Sequence, residues 1–411
     1  MDMRGDRYIK NNRKPLLIGI GGIVILGAIV SIVSAFLPAR LQSDESLARE
    51  QVALCRGSIG EEKKEICYQK TVPTLMDRGL SMERTFAVLT QLLKLDHTYQ
   101  SCHVLSHLIT SKEVAKDPSK WKDVIVRSPL TICGQGAVHG AFQERFRAES
   151  FPEATAQTLG AMLDGVCDPR AGWSPTLLDR SSCMHGMGHL FLYVTKANVT
   201  KSVALCDALG KRPDFDFRQT CTEGVFMQLY QPLEPEDKTL IHAIESAAHD
   251  TKTFCAQFNG MVRNACVKES WPAVPNSASN PKVFEALCTQ LTNREAIHYC
   301  ASGLMYPVIE VLHYDVPAIE KFCNGLAESD IRDICWARTA SKFIWADRSN
   351  TAGALSICNA APDASKAVCW NELINMAQTG MRQDSADVQG LCGGMPEPFK
   401  KTCTDHTTTH R

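Results

Sequence analysis

Several things are missing from this sequence, and each absence excludes something. Charge is modest and balanced, with 22% charged residues and 44 Lys and Arg against 45 Asp and Glu. No basic run reaches the density that neutralising a phosphate backbone requires, so nucleic acid is excluded as a partner. No segment alternates apolar and polar residues as a half-buried strand does, which leaves helix as the regular structure. Cys-x-x-Cys does not occur, and neither does Cys-x-x-Cys-His. The first absence argues against a redox dithiol and the second against covalent c-type haem.

What the chain does have is 18 cysteines in 411 residues. An even count at regular spacing belongs to an oxidising compartment, where thiols pair. The N-terminus offers the way there. Residues 16–37 are apolar apart from Ser31 and Ser34, long enough to cross a bilayer as one helix. Arg4, Arg7, Lys10, Arg13 and Lys14 precede the run. This predicts a cytoplasmic tail over 1–15, a signal anchor over 16–37 inserted in the membrane, a linker over 38–45, and an extracytoplasmic domain over 46–411, periplasmic or cell-surface. The alternative is a cleaved signal peptide, for which Val33-Ser34-Ala35 supplies the small residues.

Read as neighbours, most cysteines form close pairs: Cys55/Cys67, Cys167/Cys183, Cys206/Cys221, Cys255/Cys266, Cys288/Cys300, Cys323/Cys335, Cys358/Cys369 and Cys392/Cys403. From Cys266 the second members step by 34, 35, 34 and 34 residues to Cys403, a period that marks helix–turn–helix arrays. First cysteines end apolar segments such as Val203-Ala204-Leu205-Cys206, and second cysteines are expected to open the next helix, as in Cys369-Trp370-Asn371-Glu372-Leu373. Cys102 and Cys133 sit where second-helix cysteines belong but lack first-helix partners, so they are expected to pair across two repeats. The predicted fold is all-α, a solenoid of about ten disulfide-stapled helical hairpins after the N-terminal transmembrane helix. Repeats of this length with one disulfide each resemble the cysteine-rich Sel1-like branch of the tetratricopeptide-type solenoids. That resemblance implies a curved surface able to hold a protein, peptide or glycan partner, and it implies no catalytic residue.

The chemical signal is a set of histidines in three consecutive second helices: His103 and His107, then His139, then His185 and His189. Residues four apart share a helical face, and stacked repeats bring equivalent positions together. Glu223 occupies the His185 position one repeat later. Neutral imidazole is a ligand for zinc, copper and iron, so these six residues are a candidate transition-metal site. Two alternatives stand beside it: histidines that only satisfy one another in the core, and acid–base chemistry on an organic ligand. None of the three histidine motifs holds an Asp or Glu, so a hydrolytic metal enzyme would need Glu223 or a residue from elsewhere as its base. Gly134, Gly136, Gly140, Gly186 and Gly188 are costly in helices and imply a close approach, to a bound group or to a neighbouring helix. Trp336, Trp345 and Trp370 read as core, or as partner anchors if they lie on a concave face, Asn198-Val199-Thr200 as a chance glycosylation sequon, and 231–238 and 271–281 as Pro-rich loops. His406 and His410 fall in what reads as a frayed tail.

Overall fold

In a computed structural model of the chain, the residues described are 39–57, 60–96, 102–129, 131–133, 136–146, 155–232 and 235–408. The apolar run 16–37 and the basic tail lie outside them, as do Gly134 and His410. Among the described residues no helix is long and apolar enough to cross a membrane.

The described residues form twenty-one α-helices and no strand. Five hairpins come first: α1 (Asp44–Cys55) with α2 (Glu61–Thr71), α3 (Met82–Leu95) with α4 (Cys102–Val114), α5 (Trp121–Arg127) with α6 (Gly136–Phe146), α7 (Ala156–Leu163) with α8 (Leu177–Val194), and α9 (Val199–Leu209) with α10 (Arg218–Tyr230). An inserted helix, α11 (Pro235–His249), precedes α12 (Thr251–Cys255) with α13 (Gly260–Glu269). Four more hairpins follow: α14 (Pro281–Cys288) with α15 (Arg294–Val311), α16 (Val316–Asn324) with α17 (Ser329–Ala346), α18 (Thr351–Ala360) with α19 (Asp363–Gly380), and α20 (Ala386–Gly393) with α21 (Phe399–Thr408).

The sequence writes these boundaries in cap residues. Ser43, Ser81, Asn198, Asp315 and Ser385 each accept, through the side chain, a backbone N–H three residues on, and so start the first helix of a hairpin. Such a cap contributes about 1 kcal/mol. Asn198 therefore has a structural use that the sequon reading passed over.

All eighteen cysteines are bridged: the eight neighbour pairs, and Cys102 to Cys133 between the second and third hairpins. Their Cα atoms stand 5.1–5.7 Å apart. Four sequence expectations need correction. Second cysteines such as Cys67, Cys183, Cys300 and Cys369 lie nearly two turns inside their helices instead of opening them, because a preceding polar turn is already helical. Residues 235–238 are the start of α11, since proline is tolerated in a first helical turn. Helix α21 carries His406 within ordered structure, held by the Cys392–Cys403 bridge. Among the described residues helical structure is already present at Ala39, and α1 starts at Asp44, inside the segment read as a linker.

The staples are not equally covered. Cys67 and Cys102 are half-buried, whereas the other sixteen cysteines are buried. Cys67 lies on α2, the first second helix among the described residues. Its partner Cys55 is fully buried, so the Cys55–Cys67 bridge runs from the core to the edge of the first hairpin.

Each second helix packs beside the next one, from α2 through α4, α6, α8, α10, α13, α15, α17 and α19 to α21. Contacts are not confined to neighbours. α8 also touches α19, Ile132 forms an isolated bridge with Asp347, and Arg348 is buried in an ion pair with Asp179. The array thus curls until the third and fourth hairpins meet the eighth and ninth. The second helices from α2 to α17 face inward and line one cavity of about 440 Å³.

Candidate metal centre

The histidine-bearing helices cross unusually closely. A Cβ on Gly136 or Gly140 would strike the carbonyl oxygen of His103 or His107, so α4 and α6 meet backbone to backbone. On Gly188 it would strike the carbonyl of Cys221, and on Gly224 that of His185, which brings α8 equally close to α10. Gly186 instead gives room to the His139 ring. The glycines serve helix crossing and imidazole placement together. Gly188→Ala is expected to cost at least about 1–3 kcal/mol in a urea titration, because a backbone carbonyl cannot step aside. Gly303→Ala should cost less, since its Cβ would meet only the flexible Lys268 stem.

This geometry brings all five histidines into one chain of rings. His103 and His107 meet Nε2 to Nε2 at 3.1 Å. The His139 ring lies 5.0 Å from His103, 5.4 Å from His107, and 5.1 Å from His189, centroid to centroid. His103, His107 and His139 each place a ring nitrogen within 4.8 Å of the others, close enough for one metal ion.

Hydrogen bonds to backbone carbonyls fix the tautomers. His103 Nδ1 donates to the Cys133 carbonyl at 3.1 Å, leaving lone-pair character on its Nε2. Cys133 holds a left-handed φ of 57°, and its bridge to Cys102 ties that acceptor to α4. His139 Nε2 donates to the Ser182 carbonyl at 3.1 Å, so its buried Nδ1 carries a lone pair and has no hydrogen-bond partner. Imidazoles that ligate metals are oriented in this way, through the nitrogen that does not bind. The 3.1 Å contact between His103 and His107 needs a proton on His107 Nε2; a metal would replace that proton and move it to Nδ1. Gln143 lines the small cavity beside His107 and gives its amide N–H to Asp237 at 3.3 Å, which leaves its Oε1 as an acceptor.

Burial, and then the charge of neighbouring imidazoles, holds His107 and His139 well below the ordinary histidine pKa. Burial, with His189 and Lys268 nearby, does the same to His185. Burial lowers His189 to about 4, against a smaller opposing effect of its bond to Gln228. All four rings are neutral at pH 7, the form that binds metals.

Of the six residues, His103, His107 and His139 are the group close enough for one ion. His185 Nε2 meets Met227 Sδ at 3.1 Å; His189 Nδ1 donates to Gln228 Oε1 at 2.6 Å, and its buried Nε2 has no hydrogen-bond partner. Glu223 is drawn away. Lys268, at the same register one repeat later, takes its carboxylate in an ion pair, and the Tyr299 hydroxyl donates to it. Glu223 still lines the cavity, and so do His103, His139 and His185.

Further along the cavity stand groups that sequence reading missed. Lys342 lines it with its Nζ 5.6 Å and 5.0 Å from the ring centroids of Tyr306 and Trp345. Burial, with Lys268 and Arg338 nearby, lowers Lys342 to about 8. Burial raises Glu310 to about 7. The available signal was register: Tyr306 stands six residues after Cys300, as His139 does after Cys133, and Lys342 seven after Cys335. Trp336 and Trp370 are core, whereas Trp345 faces the cavity. No protein-family model, curated protein or solved structure matches the chain.

Proposed function

We propose that His103, His107 and His139 hold a transition metal (zinc, copper or iron) inside an extracytoplasmic α-solenoid of the Sel1-like type, anchored to the membrane by residues 16–37. The observation that carries this reading is the convergence of three ring nitrogens within 4.8 Å, two of them on imidazoles already oriented by backbone carbonyls. Ligand nitrogens about 2.0–2.1 Å from a zinc ion stand roughly 3.3 Å apart, a spacing reached by small shifts of these rings. Three protein ligands beside a cavity are the arrangement of sites that keep a coordination position for a small molecule. The eighteen paired cysteines support an oxidising compartment.

Elemental analysis of protein purified with its disulfides intact tests the proposal. One metal ion per chain is expected, with loss in His139→Ala and in His107→Ala but retention in His185→Ala, whose ring contacts Met227. Metal-free wild type would favour the second reading, a scaffold for a protein, peptide or glycan with structural histidines, whereas equal loss in all three variants would overturn the three-ligand set by adding His185 to it. The contact of His185 Nε2 with Met227 favours the scaffold reading for His185, whereas His189 gives only its Nδ1 to Gln228 and keeps a buried Nε2 with no hydrogen-bond partner.

A further inference from the structure

We infer that the central cavity binds a small organic anion, a carboxylate on a planar or branched apolar body, with the carboxylate at Lys342 and the body against Tyr306 and Trp345. Two cations line this cavity among the described residues, Lys268 and Lys342. Lys268 lies between Glu223 and Glu269, with 3.1 Å to the latter, so its charge is answered. Among the described residues Lys342 has no carboxylate within the 4.0 Å of an ion pair and no hydrogen bond; two aromatic faces attend it, and Glu223, Glu269, Glu310 and Glu372 act on it from farther away. An ammonium withdrawn from bulk water without a counter-charge is costly, and the aromatic faces offset only part of that cost. A bound carboxylate would supply the missing partner.

The rest of the cavity suits such a ligand. Leu304, Pro307 and Trp271 give it apolar walls, and its volume lies within the range of small-molecule sites. The carboxyl group on the same side, Glu310, is raised to about 7 by burial, with Glu65 adding to the shift, and so is partly protonated at neutral pH. In that form it donates to an anion instead of repelling it. His103 and His139 belong to the same cavity wall, so the anion would be enclosed with the trio. In that respect the inference deepens the metal-site reading, though binding at Lys342 does not need a metal.

The test is calorimetric titration of the full chain, disulfides intact and stripped of metal by chelator, so that its outcome is separate from the elemental analysis. The probes are indole-3-acetate, its neutral analogue tryptophol and its cationic analogue tryptamine. Indole-3-acetate should bind at one site, about tenfold or more tighter than tryptophol, as a charge-assisted contact allows. Lys342→Met should remove that advantage while leaving tryptophol affinity within about twofold, which also reports that the cavity is intact. Three results overturn the inference: tryptamine binding more tightly than indole-3-acetate, which would hand the site to Glu65 and Glu310; Lys342→Met leaving the carboxylate affinity unchanged; or no binding of indole-3-acetate.

Discussion

Metal-free protein is expected to lose stability steeply as the pH falls below about 6.5. His107, His139, His185 and His189 are neutral in the folded chain because burial and neighbouring charges depress their pKa values, His189 to about 4. Once unfolded, each imidazole takes a proton near its ordinary value of about 6.5. In the window between those values the unfolded state binds more protons, so stability falls as pH falls. Each such histidine removes about 1.4 kcal/mol per pH unit, and four acting together remove on the order of 5 kcal/mol per unit. Above about pH 8 the four contribute almost no pH dependence. Urea midpoints at pH 7.5, 6.5 and 5.5 measure the slope, which His189→Gln should flatten by about a quarter. A midpoint unchanged between pH 7.5 and 5.5 would mean that these rings are not held neutral. Bound metal should add a second acid sensitivity, because protons compete for the same nitrogens.

Arg348→Ala should cost about 3–5 kcal/mol, the range for removing one partner of a buried ion pair. Arg348 is 5% exposed and Asp179 2%. Their pair joins the turn after α17 to the start of α8, across 169 residues of sequence. The Arg348 backbone N–H also donates to the Thr131 carbonyl at 3.2 Å. Without the guanidinium, Asp179 keeps its cap contacts with Thr176, at 2.7 Å and 2.9 Å, but loses this counter-charge. Hydrogen exchange at the N-terminal turn of α8 and in residues 131–133 should rise with the drop in denaturant midpoint. A cost below about 1 kcal/mol would show that the curl is held by apolar contact between α8 and α19 and not by this pair. Lysine is a poor substitute, because it lacks the two-pronged guanidinium that reaches both carboxylate oxygens.

Much of this protein was legible in its sequence. The cysteine pairs, 11 to 16 residues apart, marked the helical hairpins, since each staple acts within one hairpin. Even the exceptional Cys102–Cys133 bridge followed from two first helices that lack a cysteine. The i,i+4 pairs His103/His107 and His185/His189 placed four imidazoles on two faces, because helical geometry is local.

Which imidazoles meet was another matter. His139 could have joined either pair. The carbonyls of Cys133 and Ser182 orient His103 and His139, while Met227 and Gln228 engage His185 and His189. Glu223 holds the register of a ligand, yet Lys268 on the next helix claims it. Such outcomes depend on side chains of neighbouring repeats competing for one another, which a pattern within a single repeat does not contain.

The curl is the furthest from the sequence. A few degrees of rotation per repeat, summed over several repeats, decide whether α8 meets α19 or stays open to solvent. Those angles come from how side chains fill each helix crossing, including the backbone contacts at Gly140 and Gly188. Local chemistry therefore determined the hairpins, their staples and the supply of imidazoles. Only the tertiary structure decided that the second helices enclose a cavity, that His103 and His139 on its wall come within ligand range of His107 behind it, and that Lys342 faces it without an ion-pair partner.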